Sequence, residues 1–265
     1  MQGPVLVKGG GELATGVAWR LFQCGFPVVL TEVARPLAVR RTVSFCEAAW
    51  EGQMTVEGVT AVLIAHAAEA AGVIAAGRIP LLIDPAAACR AALQPRAVVD
   101  AVMAKRNLGT AVDHAPVVVA LGPGFTAGRD CHAVVETQRG HSLGRVYYTG
   151  SAIPDTGVPD VRGGYGADRV VRAPAPGLFR GALQIGAIVE PGALLGNVGE
   201  TPVTAPIGGL LRGLIHNSTP VATGLKIGDV DPVMDPARCH TISDKALAVA
   251  GGVLEALLHL AQERR

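Results

Sequence analysis

A glycine-rich turn close to the start of the chain has the residue types and the spacing that bind phosphate groups. Gly9, Gly11 and Ala14 match the pattern Gly-x-Gly-x-x-Ala between an apolar run and a segment with helical periodicity. In this pattern the first glycine makes a tight turn, the second lets a pyrophosphate approach the backbone, and the small third residue permits close packing of helix and strand. The amides at the start of the helix also attract anions. The turn therefore predicts a binding site for a nucleotide or a dinucleotide.

Charged residues on and near the turn refine this prediction. Glu32 ends the second predicted strand, about 20 residues after the turn, where an acidic residue binds ribose hydroxyls. Arg40 follows and offers a guanidinium to an additional phosphate. Glu12 lies within the turn, and its carboxylate opposes a pyrophosphate there. The alternative is a strand–helix turn that binds nothing. The predicted ligand-binding residues of this region are Gly9, Gly10, Gly11, Glu12, Ala14, Thr15, Glu32 and Arg40.

Two later segments follow apolar runs and are expected to face the same ligand. Asp100, Lys105 and Asn107 lie at or after the end of one run. Gly122 and Gly124 lie in the loop after another run, where glycines permit close approach to a ligand or form an anion-binding nest. Ligands of open α/β sheets bind beyond the carboxyl ends of the strands, so we expect these residues beside the glycine turn. The alternative for the first three is a solvated loop.

Four residues further along are candidates for catalysis. Cys131 and His132 are adjacent, and a neighbouring imidazole can lower the pKa of a thiol. Adjacent residues of a strand point to opposite faces, however, whereas His132 and Glu136 share a face in either a helix or a strand. His141 follows as a further proton donor. The alternative is a buried cysteine beside a hydrogen-bonded histidine. No spacing of residues predicts a metal site.

The pattern of elements predicts an α/β fold with a Rossmann-like parallel sheet. A strand, the glycine turn, a helix over Leu13–Gln23 and a strand over Pro27–Glu32 form a βαβ unit. Later runs such as Pro116–Leu121 are continuously apolar, which favours parallel strands covered on both faces. Many Gly, Pro and Asp residues from Gly150 to Gly166 indicate a linker or ordered loop. The Rossmann-like domain is expected to span residues 1–165.

An internal repeat follows this domain. Val171–Val198 aligns without gaps with Val203–Val230, and both halves contain Ala-Pro-x-x-Gly-Leu. Two such units predict a small β barrel-sandwich of the biotinyl or lipoyl kind over residues 166–235. Carrier domains of that kind need a lysine at a hairpin tip, but the expected tip, Gly199–Pro202, has none, so we predict neither biotin nor lipoate. Residues 236–265 are predicted to form a C-terminal helix that packs back on the first domain.

Composition and charge disfavour several classes of function. The 265 residues are 49% hydrophobic and carry a formal net charge of +1. The low charge and the 4% aromatic content argue against a nucleic-acid partner. The five scattered cysteines fit a reducing compartment. We also find no apolar run of transmembrane length and no signal-peptide pattern. We therefore expect a cytoplasmic protein without a membrane partner, and the sequence leaves open whether it is a homo-oligomer.

Several motifs together resemble a known family. They are Lys-Gly-Gly-Gly-Glu-Leu-Ala-Thr-Gly from residue 8, Arg-Arg-Thr-Val-Ser-Phe from residue 40, Lys-Arg-Asn-Leu-Gly-Thr from residue 105, Gly-Pro-Gly-Phe-Thr-Ala-Gly from residue 122 and Glu-Thr-Gln-Arg-Gly-His from residue 136. They are similar to the YqeB-like selenium-dependent molybdenum hydroxylase system proteins. The first loop of that family usually reads Gly-Ala-Gly-Asp; Gly10 and Glu12 stand here for Ala and Asp, which keeps both turn glycines and the carboxylate. The resemblance implies an association with molybdenum hydroxylases but no particular reaction.

Three functional hypotheses follow. The leading one is an accessory protein for the maturation of selenium-dependent molybdenum hydroxylases, which binds a nucleotide or a dinucleotide of the NAD(P) or molybdopterin type at the glycine turn. The second is an NAD(P)-dependent oxidoreductase in which His132 or His141 donates a proton. The third is a scaffold whose repeat module docks a partner enzyme and whose nucleotide site is vestigial.

Overall fold

The computed structural model describes residues 3–155, 157, 164 and 166–262, and the chain divides into two units. The first unit consists of Met1–Pro36, Ser44–Thr156 and Ile242–Arg265, and the second of Leu37–Val43 and Gly157–Thr241. The chain therefore enters the second unit twice. No helix among the described residues combines the length and the apolar character that crossing a membrane requires.

The regular elements are short. The strands are β1 (Val5–Lys8), β2 (Val28–Glu32), β3 (Gln53–Val56), β4 (Val59–Ile64), β5 (Ile79–Ile83), β6 (Ala97–Asp100), β7 (Val117–Leu121), β8 (Ala133–Val135), β9 (Val146–Tyr147), β10 (Val170–Arg172), β11 (Gly177–Gly181), β12 (Ile188–Val189), β13 (Leu194–Val198), β14 (Thr201–Thr204), β15 (Gly209–Leu214), β16 (Pro220–Val221) and β17 (Lys226–Asp231). The helices are α1 (Glu12–Gln23), α2 (Ala48–Glu51), α3 (Ala70–Ala75), α4 (Arg90–Leu93), α5 (Ala237–His240) and α6 (Asp244–Gln262).

The first unit is built on a nine-stranded mixed sheet with the order β3-β4-β5-β2-β1-β6-β7-β8-β9. The seven inner strands of this order, from β4 through β1 to β8, pair in parallel with their neighbours. Every residue of β1, β6 and β7 is buried. This burial on both faces explains why these strands are continuous runs of valine, alanine and leucine rather than alternating patterns. The parallel strands place their carboxyl ends at one edge of the sheet, which we call the carboxyl edge.

The two outer strands of this sheet are antiparallel to their neighbours. Glu57 and Gly58, which join β3 to β4, both have positive φ angles of 43° and 79°. Two consecutive residues of this kind form the tight turn of a hairpin, which requires antiparallel pairing.

Helices α1 and α6 pack against each other beside the sheet. A Cβ atom at Gly16 of α1 would lie 2.8 Å from the Cβ atom of Ala246 of α6, so the two helices meet at small residues. The buried residues Val17 and Leu21 line the inner face of α1. The helix predicted at the C-terminus is thus part of the first unit.

The second unit consists of two four-stranded antiparallel sheets, β10-β17-β15-β12 and β14-β13-β11-β16. The repeat found in the sequence is visible in their pairing. Gly177 of β11 pairs with Val221 of β16, and the equivalent Gly209 of β15 pairs with Val189 of β12. Each half of the repeat therefore contributes a strand to the sheet of the other half. Phe179, a fully buried side chain, lies in the core that the two halves form.

The predicted fold class is wrong. The first sheet is mixed rather than parallel, and the connections from β6 to β7 and from β7 to β8 contain no α-helix, unlike a Rossmann-like domain. The second unit contains two antiparallel sheets and also the early residues 37–43, and it is not a small biotinyl- or lipoyl-like barrel-sandwich that simply follows the first domain. Apolar runs indicate strands, but they do not show the direction of edge strands or which connections are helical, because these depend on distant contacts.

Candidate functional site

A buried ion pair supports the centre of the carboxyl edge. Lys8 and Asp100 are register partners at the ends of β1 and β6, and Lys8 Nζ lies 3.1 Å from Asp100 Oδ2. Lys8 Nζ also donates to Thr110 Oγ1 at 2.6 Å, and the Thr110 hydroxyl donates to the Asp100 carboxylate. The Asp100 carboxylate is therefore bound by Lys8 and Thr110 rather than open to a ligand. Its bond with Thr110 also fixes the loop that begins after β6.

The three glycines of the turn differ in their surroundings. Gly9 has a φ of 95°, and a Cβ atom there would lie 3.0 Å from the Ala101 carbonyl oxygen. A Cβ atom at Gly10 would lie 2.8 Å from the backbone nitrogen of Cys46, which donates to the Gly10 carbonyl. Gly11, by contrast, precedes α1 and has no atom within 4 Å of the Cβ position. Of the three, only Gly11 has open space beside its backbone.

Two other predicted residues of the first helical turn are part of the packing. Thr15 is fully buried; its hydroxyl donates to the Gly10 carbonyl at 3.1 Å and accepts from the Phe45 amide at 2.8 Å. Ala14 is also fully buried. Glu12 is half-buried at the first position of α1. Thr15 and Ala14 therefore shape the turn and do not face a ligand.

Glu32 is held against the turn by two backbone amides. Its Oε2 accepts from the Gly10 amide at 2.8 Å, and its Oε1 accepts from the Val33 amide at 2.7 Å. Burial raises the pKa of this carboxyl above its ordinary value, and the two hydrogen bonds counteract part of that effect. The carboxylate is thus held at the amide of Gly10, the residue before Gly11, and has further lone pairs that accept hydrogen bonds from hydroxyl groups.

The later glycine loop and the loop after β6 pack directly on each other. A Cβ atom at Gly124 would lie 2.6 Å from the Cα atom of Arg106, and one at Gly122 would lie 2.5 Å from the Thr137 hydroxyl. These glycines serve loop packing, so they do not offer an open surface to a ligand. Both loops thus lie at the carboxyl edge, where they pack on each other and close the part of the edge after β6 and β7.

The polar residues of the loop after β6 act locally. Asn107 Oδ1 accepts from the amides of Gly109 and Thr110, and its Nδ2 donates to the Thr110 carbonyl. Lys105 Nζ lies 2.8 Å from Asp155 in an exposed ion pair. Asn107 therefore shapes the loop, while Lys105 lies at its exposed surface.

Arg40 lies in the second unit. It is buried, and its Nη2 donates to the Arg238 carbonyl at 2.7 Å. Arg41 Nε similarly donates to the Leu214 carbonyl at 2.8 Å. Arg35, which follows β2 in the first unit, is exposed. Of these three arginines, Arg35 alone belongs to the first unit, and it lies near the end of β2.

The catalytic candidates do not form a cluster. Cys131 is fully buried, and burial raises the pKa of its thiol to about 12. His132 Nδ1 accepts from the Val118 amide at 2.9 Å, next to the amino end of β8. The buried Glu136 carboxylate accepts from the amides of Thr137, Gln138 and Ile153. His141 is exposed in the loop between β8 and β9. Cys131 and His132 thus lie at the opposite end of β8 from the carboxyl edge.

Sequence reasoning missed three contributors to this edge. Lys8 and Thr110 looked like ordinary strand and loop residues, and Cys46 lies far from the turn in the sequence. A lysine at the end of an apolar strand was the one available signal, since a buried lysine requires a partner. The approach of Cys46 to Gly10 had no local signal.

The fold and the edge define a two-unit protein whose mixed α/β unit carries a glycine-rich turn at the carboxyl edge of its sheet. The chain is 49% identical over 256 residues to the protein YqeB of Escherichia coli K12. The alignment covers 97% of this chain and 47% of YqeB, so the chain spans about half the length of that relative. This similarity supports the YqeB-like part of the family resemblance.

Other comparisons add little. No protein-family model matches the chain. A solved aspartoacylase family protein from Mesorhizobium loti aligns with 86% of this chain and 85% of its own, at 11% identity and a TM-score of 0.28. A succinylglutamate desuccinylase/aspartoacylase from Rhodobacter sphaeroides aligns over 85% and 86%, at 17% identity and a TM-score of 0.23. At these TM-scores neither likeness supports an argument about function.

Proposed function

We propose that this chain binds a nucleotide or a dinucleotide beside Gly11 and acts as an accessory protein in the maturation of molybdenum hydroxylases. The observation that carries the binding proposal is the contrast between enclosed Gly10 and open Gly11 at the start of α1. A phosphate at Gly11 would meet the amides and the positive end of this helix. The oriented Glu32 carboxylate beside it is suited to accept hydrogen bonds from ribose hydroxyls.

The accessory role rests on the motifs that resemble the YqeB-like family and on the relationship to YqeB. The ligand would be of the NAD(P) or the molybdopterin-dinucleotide type. No observation favours hydride transfer as a second function. His132, one of the two candidate proton donors, lies next to the amino end of β8, at the opposite end of that strand from the carboxyl edge, and its Nδ1 accepts from the Val118 amide.

Ligand binding is tested by thermal unfolding of the intact chain with NAD, NADP, ATP, CTP and a molybdopterin dinucleotide. A ligand that binds only the native state at 100 times its Kd raises the free energy of unfolding by about 2.7 kcal/mol. We expect at least one of these compounds to raise the unfolding midpoint. The binding proposal fails if none does at millimolar concentration.

The site is tested by Gly11→Val with Gly72→Val as the matched control. A Cβ atom at either position meets no atom within 4 Å, but Gly72 is an exposed residue of α3 and not part of the turn. We expect Gly11→Val to abolish the ligand-induced shift and Gly72→Val to retain it. If Gly11→Val binds as well as the wild type, the ligand does not lie at this turn.

The accessory role is tested in host cells from which the gene is deleted. We expect molybdenum hydroxylase activity to fall while the amount of hydroxylase polypeptide stays the same. Wild-type protein should restore the activity, and Gly11→Val should not. Unchanged hydroxylase activity in the deletion strain would contradict the accessory role while leaving the binding result intact.

A further inference from the structure

The first unit contains a pocket of about 580 Å³ between helix α4 and a short 3-10 helix over Val112–His114. Pockets of about 300–1,000 Å³ are the usual size for small organic ligands. Pro95 and Pro116, which stand just before the neighbouring strands β6 and β7, line the pocket. No residue of the glycine turn lines it, and neither does Glu32. The pocket is therefore separate from the proposed nucleotide site.

The lining of this pocket combines small apolar walls with a few polar groups. The polar residues are Arg90 and Gln94 from the α4 side and Asp113 and His114 from the 3-10 helix. The other five lining residues are alanines and prolines. Sites for small molecules are commonly built in this way, because the walls exclude water from the body of the ligand while the polar groups fix its orientation.

Arg90 is anchored in the wall and keeps hydrogen-bond donors for a ligand. The side chain is half-buried, and its Nη1 donates to the Ala87 carbonyl at 3.0 Å and to the Ala86 carbonyl at 3.4 Å. Its Nε and Nη2 make no hydrogen bond or ion pair with any residue that the structure describes. These two nitrogens lie on one side of the planar guanidinium, where they match the two oxygens of a carboxylate or a phosphate.

His114 adds a neutral donor to the same pocket. Its Nδ1 accepts from the Ala111 amide at 3.4 Å, so the hydrogen of the neutral ring is on Nε2. Burial, followed by the positive charges of Arg90 and Lys8, lowers the pKa of His114, and the negative charge of Asp113 opposes part of that effect. The ring is therefore uncharged at neutral pH. The pocket thus offers one positive charge, on Arg90, together with neutral donors.

We propose that this pocket binds a small monocarboxylate, whose carboxylate accepts hydrogen bonds from Arg90 and whose apolar part contacts the alanine and proline walls. One guanidinium balances one negative charge. The exposed carboxylate of Asp113, which also lines the pocket, repels the second negative charge of a phosphate group. The proposal goes beyond the proposed function and does not depend on it, because no residue of the glycine turn takes part.

The test measures how carboxylates protect Arg90 from phenylglyoxal in the intact chain. Propionate, benzoate and inorganic phosphate are each compared with sodium chloride at equal ionic strength, and modified arginines are quantified by peptide mass spectrometry. A ligand at about ten times its Kd leaves roughly one site in ten free, so modification of Arg90 should slow about tenfold. Arg78, an exposed arginine that does not line the pocket, should react at an unchanged rate.

Two results of this experiment would overturn the proposal. The pocket does not bind carboxylates if neither propionate nor benzoate protects Arg90 at millimolar concentration, and the ligand class is wrong if phosphate protects it as strongly as they do. A second measurement follows the His114 ring by NMR. A bound carboxylate offsets the charge of Arg90 and should raise the pKa of His114. Arg90→Gln should abolish this response, and Arg78→Gln should retain it; an unchanged response in Arg90→Gln also contradicts the proposed site.

Discussion

The Lys8 ammonium lies 3.1 Å from the Asp100 carboxylate, and both side chains are buried at the ends of the central strands β1 and β6. Removing one partner leaves an uncompensated buried charge. Lys8→Met is therefore expected to lower the free energy of unfolding by about 3–5 kcal/mol, as measured by urea denaturation.

Lys105→Met is the matched control for this prediction. Its ammonium pairs with Asp155 at 2.8 Å, but both side chains are exposed to solvent. Exposed pairs of this kind contribute roughly 0–1 kcal/mol. Equal costs for the two substitutions would show that the Lys8–Asp100 pair is not shielded from water. Combining Lys8→Met with Asp100→Leu should recover part of the loss, because the double variant leaves no unpaired charge.

Glu32 should make stability depend on pH. Burial raises the pKa of its carboxyl above the ordinary value of 4.5, so the folded protein holds the proton at pH values where the unfolded chain has lost it. This contribution to stability is present below pH 4.5 and is lost as the pH rises through the folded pKa. The difference in free energy of unfolding, wild type minus Glu32→Gln, is expected to fall between pH 4.5 and neutrality. Urea denaturation at a series of pH values measures it; a rising difference would mean that the amide hydrogen bonds outweigh burial.

The two halves of the repeat offer a matched pair of glycines. Gly177 and Gly209 are equivalent and both have a φ of 153°. A Cβ atom at Gly209 would lie 2.4 Å from the Asp231 carbonyl oxygen, whereas one at Gly177 would first meet the Val198 side chain at 3.1 Å. Gly209→Ala is therefore expected to cost roughly 1–3 kcal/mol more than Gly177→Ala in thermal or urea unfolding. Similar costs would indicate that the backbone at Gly209 relaxes freely.

Cysteine reactivity should separate a structural thiol from an accessible one. Cys24 is exposed, whereas Cys131 is buried and burial raises its pKa to about 12. At about pH 8, iodoacetamide should alkylate Cys24 in the native protein and reach Cys131 only after denaturation. Peptide mass spectrometry measures both sites. Fast alkylation of native Cys131 would return it to the set of catalytic candidates.

The sequence by itself determined the local features of this protein. The glycine turn before α1 and the apolar strands follow from local residue preferences and short periodicities, and the repeat of the second unit follows from the similarity of two segments of the sequence. Glu32 was placed beside the turn because parallel strands joined by a helix lie next to each other. These inferences need no knowledge of distant contacts.

Only the tertiary structure decided which of these residues are accessible. Cys46 encloses Gly10, Lys8 pairs with Asp100, and the buried Cys131 lies away from the carboxyl edge. The antiparallel outer strands and the early entry of residues 37–43 into the second unit overturned the predicted fold class. Such contacts join residues far apart in the chain. They are set by which surfaces bury each other at the lowest free energy, and no local pattern encodes that choice.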